Sequence, residues 1–288
     1  MMRLLWSRTL SPGLCGLLWA RERGRLLTWD TAGALTLLDA GGAEAGGVRL
    51  TPPLTAVACA DDGSAVAALS ADRLLYLGAD LAVRWERRLS GGTALAVEAF
   101  GQYLAVADAA GTLTILDRSG RPAGSATPPR PLRFLGFAVE RAQLVGAADL
   151  GLVACYDVRG RCLWRDGLVA HVGGLAVAAD GRAALACFSD GLVRYGAGGK
   201  RAAAGAAEFV RQAALSYDGG RVLALGQGSR LRWRDRRGAT LEAWEADAEP
   251  VGLALDALGR RAALAFADGR VQCVAAGKSS LSEIPPGA

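Results

Sequence analysis

A turn signature recurs along the chain at one fixed interval, and it restricts the possible folds more than any other feature. Gly33, Asp72, Gly111, Gly151, Gly191, Ser229 and Gly269 each sit between two short apolar runs, in the same local context. Their spacings are 39, 39, 40, 40, 38 and 40 residues. A second marker keeps the same period. Trp6, Trp85, Trp164 and Trp244 lie 79, 79 and 80 residues apart, two intervals each. Two residue types reporting one period imply a chain of equivalent units stacked on one another.

Within a unit the pattern is that of strands. The 58 Ala residues would favour helix on propensity alone. Yet the apolar runs are five to eight residues long and are broken by turns of Gly and Asp, as in 54–60, 61–64 and 65–70. None reaches the ten to twelve residues of an ordinary amphipathic helix. Each unit reads as four strands, a to d. In the second they are expected near 54–60, 65–70, 73–78 and 81–89, and in the fourth near 131–139, 143–149, 152–157 and 162–169. Residues 250–277 supply only a, b and c. The missing d lies at the other end of the chain, where residues 3–10 match 82–89 in Trp6 for Trp85, Arg8 for Arg87 and Leu10 for Leu89. The expected fold is all-β: a seven-bladed β-propeller of four-stranded antiparallel blades, with the N-terminal strand closing the last blade. Residues 1–277 form its single domain, and 278–288 are expected to be a disordered tail.

Composition narrows the class further. A 51% hydrophobic content and a net charge of only +5 exclude disorder. Six Cys in 288 residues are too sparse for a disulfide scaffold, and no stretch reaches the roughly 18 apolar residues of a membrane helix. The apolar start is interrupted by Arg8 and by Ser11, Pro12 and Gly13, which argues against a signal peptide and for a cytoplasmic location. No Cys forms a CxxC pair or has a His at zinc-ligand spacing, so the six read as small core side chains.

The period, turn positions and strand order resemble the WD-repeat β-propeller family over nearly the whole chain. The terminal Trp-Asp of that family is approximated by Trp233 and Asp235, and more loosely by Leu38-Asp39, Leu116-Asp117 and Tyr156-Asp157. Its Gly-His pair is absent, and His171 is the sole histidine. The c–d hairpins also resemble quinoprotein-like repeats, with an Asp, a Gly and then a Trp. Asp157, Gly160 and Trp164 give the best match, and Asp235 to Trp244 a stretched one. The WD resemblance implies a non-catalytic scaffold for another protein. The quinoprotein resemblance implies an assembly factor or a cofactor-dependent enzyme.

The catalytic inventory favours the scaffold. A triad would depend on His171 alone, in the d–a connection after the fourth blade and with no expected nucleophile beside it. There is no P-loop and no GxGxxG after a strand. No cofactor is expected. The charges sort by loop instead. The b–c turns carry Asp30, Asp72, Asp108, Asp149, Asp190 and Asp268, either as local turn caps or as an acidic rim. The c–d turns of blades four to six carry Arg159, Arg161, Lys200, Arg201, Arg236 and Arg237, which a 39-residue repeat returns to one end of the molecule. These six are the candidate surface for a protein partner, because guanidinium groups grip carboxylates bidentately. Nucleic acid is the alternative ligand, disfavoured by the lack of interleaved aromatics apart from Trp233. No membrane contact is expected, and the chain is expected to be monomeric on its own.

Overall fold

A computed structural model describes residues 2–70, 72–202 and 208–277, and every regular element in it is a strand. The first, β1 (Arg3–Thr9), belongs to the last blade. Blade one is β2 (Leu14–Ala20), β3 (Arg25–Asp30), β4 (Ala34–Leu38) and β5 (Glu44–Arg49). Blade two is β6 (Leu54–Cys59), β7 (Ala65–Ser70), β8 (Arg73–Gly78) and β9 (Val83–Arg88). Blade three is β10 (Gly92–Val97), β11 (Tyr103–Asp108), β12 (Leu113–Asp117) and β13 (Pro122–Ala126). Blade four is β14 (Phe134–Phe137), β15 (Gln143–Ala147), β16 (Val153–Asp157) and β17 (Cys162–Asp166). Blade five holds β18 (Val172–Val177), β19 (Ala183–Cys187) and β20 (Gly191–Tyr195). Its outer position is marked by the bridge between Tyr195 and Arg201, and residues 203–207 lie outside the described residues. Blade six is β21 (Gln212–Leu215), β22 (Arg221–Leu225), β23 (Arg230–Asp235) and β24 (Thr240–Glu245). Blade seven is β25 (Pro250–Leu255), β26 (Arg261–Phe266) and β27 (Arg270–Ala275), completed by β1.

The molecule is thus a seven-bladed β-propeller of antiparallel blades, closed by the N-terminal strand. β1 pairs with β27 from Arg3 opposite Ala275 to Thr9 opposite Arg270, which removes the open edge a linear stack would leave. The expected tail, 278–288, lies outside the described residues.

Burial explains why the strands read as they do. The b strands lie between two neighbouring blades, so both faces are covered. All six residues of β7 are buried, and Ala65 to Leu69 form one continuous apolar run. The d strands form the outer wall. β1 and β9 leave nearly every residue exposed and carry Arg and Glu freely. Between blades four and five, Val145, Val153 and Cys155 pack with Leu185, Cys187, Val193 and Tyr195. Each fully buried Val or Leu contributes about 1.5–3 kcal/mol, so the stability resides in the seams between blades. Backbone bonds tie the a–b turns together. Arg23 donates to the Asp61 carbonyl, Asp62 to Ala99, Val139 to Ala179, Ala179 to Tyr217 and Tyr217 to Ala257.

Candidate functional site

The c–d turns of blades one, three, four and six are built by one device. Asp39, Asp117, Asp157 and Asp235 each accept from the backbone N–H groups two and four residues on, at 2.8–3.0 Å. Short carboxylates cap tight turns in this way, and the side chains that follow are left projecting from the turn. In blade five Gly196 replaces the Asp, and the turn closes through backbone bonds from Gly196 to Lys200 and from Gly199 to Gly196.

These turns are also the docking points for the outer-wall tryptophans. Trp6 Nε1 donates to the Ala40 carbonyl of blade one at 3.0 Å, Trp85 to Arg118 of blade three at 2.9 Å, and Trp164 to Ala197 of blade five at 2.9 Å. In each case the acceptor is the second residue of the next blade's turn. The indole then lies over that turn's glycine, Gly42, Gly120 or Gly199, where a Cβ would meet the ring at 2.5–3.2 Å. Trp6, Trp85 and Trp164, three of the four tryptophans of the 79-residue period, are therefore seam covers.

The seam between blades five and six is one of those that the 79-residue period leaves without an indole. Arg194, on β20, sends its guanidinium to the Arg236 and Asp235 carbonyls of the next turn, so it takes the acceptor that an indole N–H takes elsewhere. Burial, reinforced by Arg234, lowers its pKa against the pull of Asp235. Beside it is a cleft of about 410 Å³. Arg182, Arg194, Lys200, Arg201 and Arg236 line it, over a floor that includes Ala184 and Leu215. Arg182 is paired with Asp180, and Arg201 with Asp166 at 3.5 Å. Lys200 and Arg236 are exposed and make no ion pair among the described residues.

The structure thus gathers three of the six expected basic residues, Lys200, Arg201 and Arg236, into one cleft. Arg159, Arg161 and Arg237 lie outside it. Arg159 and Arg237 are exposed in their turns, while Arg161 folds back onto Asp157 at 3.2 Å. The sequence reading missed Arg194, because a single Arg inside the run Gly191–Tyr195 looks like ordinary strand.

The six b–c aspartates serve several local roles. Asp30 is buried and accepts from Ala32 and Ala34. Asp108 accepts from Thr112, and Asp268 from the backbone and side chain of Arg270. Asp190 accepts from the Ser189 hydroxyl, and Asp72 lies 3.8 Å from Arg73. Asp149 is exposed, and its carbonyl accepts from Val172. His171 is exposed and bridges Leu150 through its backbone.

The central channel is walled by the innermost strands of all seven blades, including Leu18, Val57, Leu95, Leu135, Val177 and Leu253, around about 250 Å³. At its a–b end, Arg21 grips Asp61 through two 2.8 Å bonds and lies 4.8 Å above the Tyr217 ring. Burial works against the Arg21 charge, but the Asp61 bonds outweigh it and its pKa is raised. Blade one is thereby tied to blades two and six across the channel mouth.

No protein-family model and no curated protein matches the chain. What it does must therefore be argued from its own surface.

Proposed function

We propose that the chain is a non-catalytic cytoplasmic scaffold that binds an acidic segment of a protein partner on its a–b and c–d face. The cleft between blades five and six carries this reading. Five cations converge there against two paired carboxylates, so an acidic segment would find both long-range attraction and bidentate partners. The exposed His171 supports a non-catalytic role, since Ser189 directs its hydroxyl to Asp190 instead. The six free thiols fit a reducing compartment.

The test is charge reversal at Lys200, Arg236 and Arg237 to Glu, with bound proteins and melting temperature measured together. Binding should be lost while the melt moves by no more than about 6 °C, because three exposed charges contribute within about 0.5 kcal/mol each and each kcal/mol is worth roughly 2–4 °C. An unchanged set of bound proteins returns these residues to solvated turns. A second reading, a quinoprotein-like propeller, draws on the Asp157, Gly160 and Trp164 pattern. Titration with a soluble quinone, followed by absorbance, separates it: saturable binding favours that reading over the scaffold.

A further inference from the structure

We infer that the cavity at the b–c end of the seam between blades seven and one binds a primary ammonium group, of a small alkylamine or of a lysine side chain. The site is independent of the basic face, which lies at the other end of the molecule. One side chain is out of place in a buried strand. In blades one, two, three, five and seven, the first residue of strand a pairs with Asp30, Ser70, Asp108, Cys187 and Phe266. Two residues before these, the last four blades carry Ala68, Val106, Leu185 and Leu264. Blade one carries Thr28, which is fully buried. The one bond its hydroxyl makes among the described residues reaches the Thr36 carbonyl at 3.5 Å, beyond the usual range of about 2.5–3.0 Å.

Asp30, at the end of the same strand, is the second group short of a partner. It is buried, and one carboxylate oxygen caps the turn by accepting from Ala32 and Ala34 at 2.9 and 2.8 Å. The other oxygen accepts nothing from the described residues, whereas the buried Asp61 and Asp256 set theirs against Arg21 and Arg261. Buried polar groups are as a rule hydrogen-bonded, so both side chains call for a donor. Both line a cavity of about 250 Å³, with the half-buried Ala34 and Thr36 beside them and the exposed Arg8 and Glu44 at its mouth. Trp6 covers this seam at its c–d end, and the cavity lies at the other. One water needs only about 10–15 Å³, and drug-sized sites begin near about 300 Å³, so the space suits a small ligand. Arg8 and Glu44 cancel in charge, which leaves the Asp30 carboxylate uncompensated. A primary ammonium brings three donors, no acceptor and one positive charge. It can donate to Asp30 and to the Thr28 hydroxyl at once, and its bond to the carboxylate is charge-assisted. An anion would be repelled, and a neutral alcohol would leave the buried charge as it is.

Calorimetric titration of the full chain with butylammonium chloride and with butan-1-ol, at matched ionic strength, tests the inference. Butylammonium should bind at least about tenfold tighter than the alcohol, which has the same chain without the charge. Asp30→Asn keeps an acceptor for the Ala32 and Ala34 N–H groups and removes the charge. It should cost butylammonium about tenfold or more and leave the alcohol unchanged. On the unaltered protein, the Ala34 methyl resonance should shift with butylammonium and not with sodium chloride, so the test survives if the variant fails to fold. A capped glycine–lysine–glycine peptide that displaces butylammonium would assign the site to a lysine of a partner, and one that does not would assign it to a free amine. Equal affinities for amine and alcohol, a silent Ala34 methyl, or full binding by folded Asp30→Asn would each overturn the site and leave the cavity to water.

Discussion

Several cysteines turn burial into measurable chemistry. Burial pushes the Cys155 thiol up to about 12 and those of Cys187 and Cys273 up to about 11. Cys15 and Cys162 are exposed. A disulfide-forming reagent at pH 8 should therefore titrate two thiols quickly, with Cys59 lagging and the three buried thiols reacting only after denaturation. Four fast thiols would contradict the packing. The folded chain also holds the buried thiol protons to higher pH than the unfolded chain, whose thiols ionise near 9. This stabilisation is complete below about pH 9 and is lost as the pH rises toward 12. Melting temperature should fall across that window, and Cys155→Ala should make the fall shallower. At the opposite extreme, His171→Ala should shift stability by less than about 0.5 kcal/mol and leave partner binding intact, since the side chain is exposed. The basic turns were legible in the sequence because Arg and Lys beside Gly stand out. Arg194 was not, because its role comes from the turn of the next blade, about forty residues away.

The strands follow the hydrophobic runs closely. Expected positions of 65–70, 73–78 and 143–149 correspond to Ala65–Ser70, Arg73–Gly78 and Gln143–Ala147. The ends trim back where the backbone enters a turn capped by its own Asp or Gly. Strand d is the weakest signal, because its outward face carries no apolar requirement. Pro122–Ala126 has only small side chains, and it lies beside the blade-four turn at Gly124. The tryptophans were legible as a period, but their docking partners were not, since the acceptor is a backbone carbonyl with no side-chain signature. That docking makes a separable prediction. Gly199 has φ +82°, and a Cβ there would sit 2.5 Å from the Trp164 ring. Gly228 has φ +64° and open space around it. Gly228→Ala should cost about 1–2 kcal/mol from the backbone alone, and Gly199→Ala clearly more. Combining Gly199→Ala with Trp164→Ala should cost less than the sum of the two, a non-additivity readable by urea denaturation. Strict additivity would mean that the indole does not rest on the turn.

At the scale of the whole ring, the shared last blade makes the first strand and the last three a single structural unit. β1 contributes six paired positions against β27. It also carries Trp6, whose indole reaches on to Ala40 and packs against Gly42, so one strand fastens blade seven to blade one. This closure was legible because the two matching strands share their Trp, Arg and Leu placement. The make-up of the blade five to six seam was not, because Arg194 bonds to backbone carbonyls of the next blade's turn, which have no side-chain signature. Deleting residues 1–10 should remove the fourth strand of blade seven, expose the edge of β27 and unseat the cover of the seven-to-one seam. Several kcal/mol should be lost together. For a domain of this size each kcal/mol shifts the melting temperature by roughly 2–4 °C, so the midpoint should drop by about 10 °C or more. The bare edge is also a template for pairing with another chain, so light scattering should rise with protein concentration. Supplying a synthetic peptide of residues 1–10 should restore the melt, because the strand's partners remain in the truncated chain. Truncation that leaves the melting temperature unchanged would mean that the ring is held by its seams alone and that β1 only lies against it.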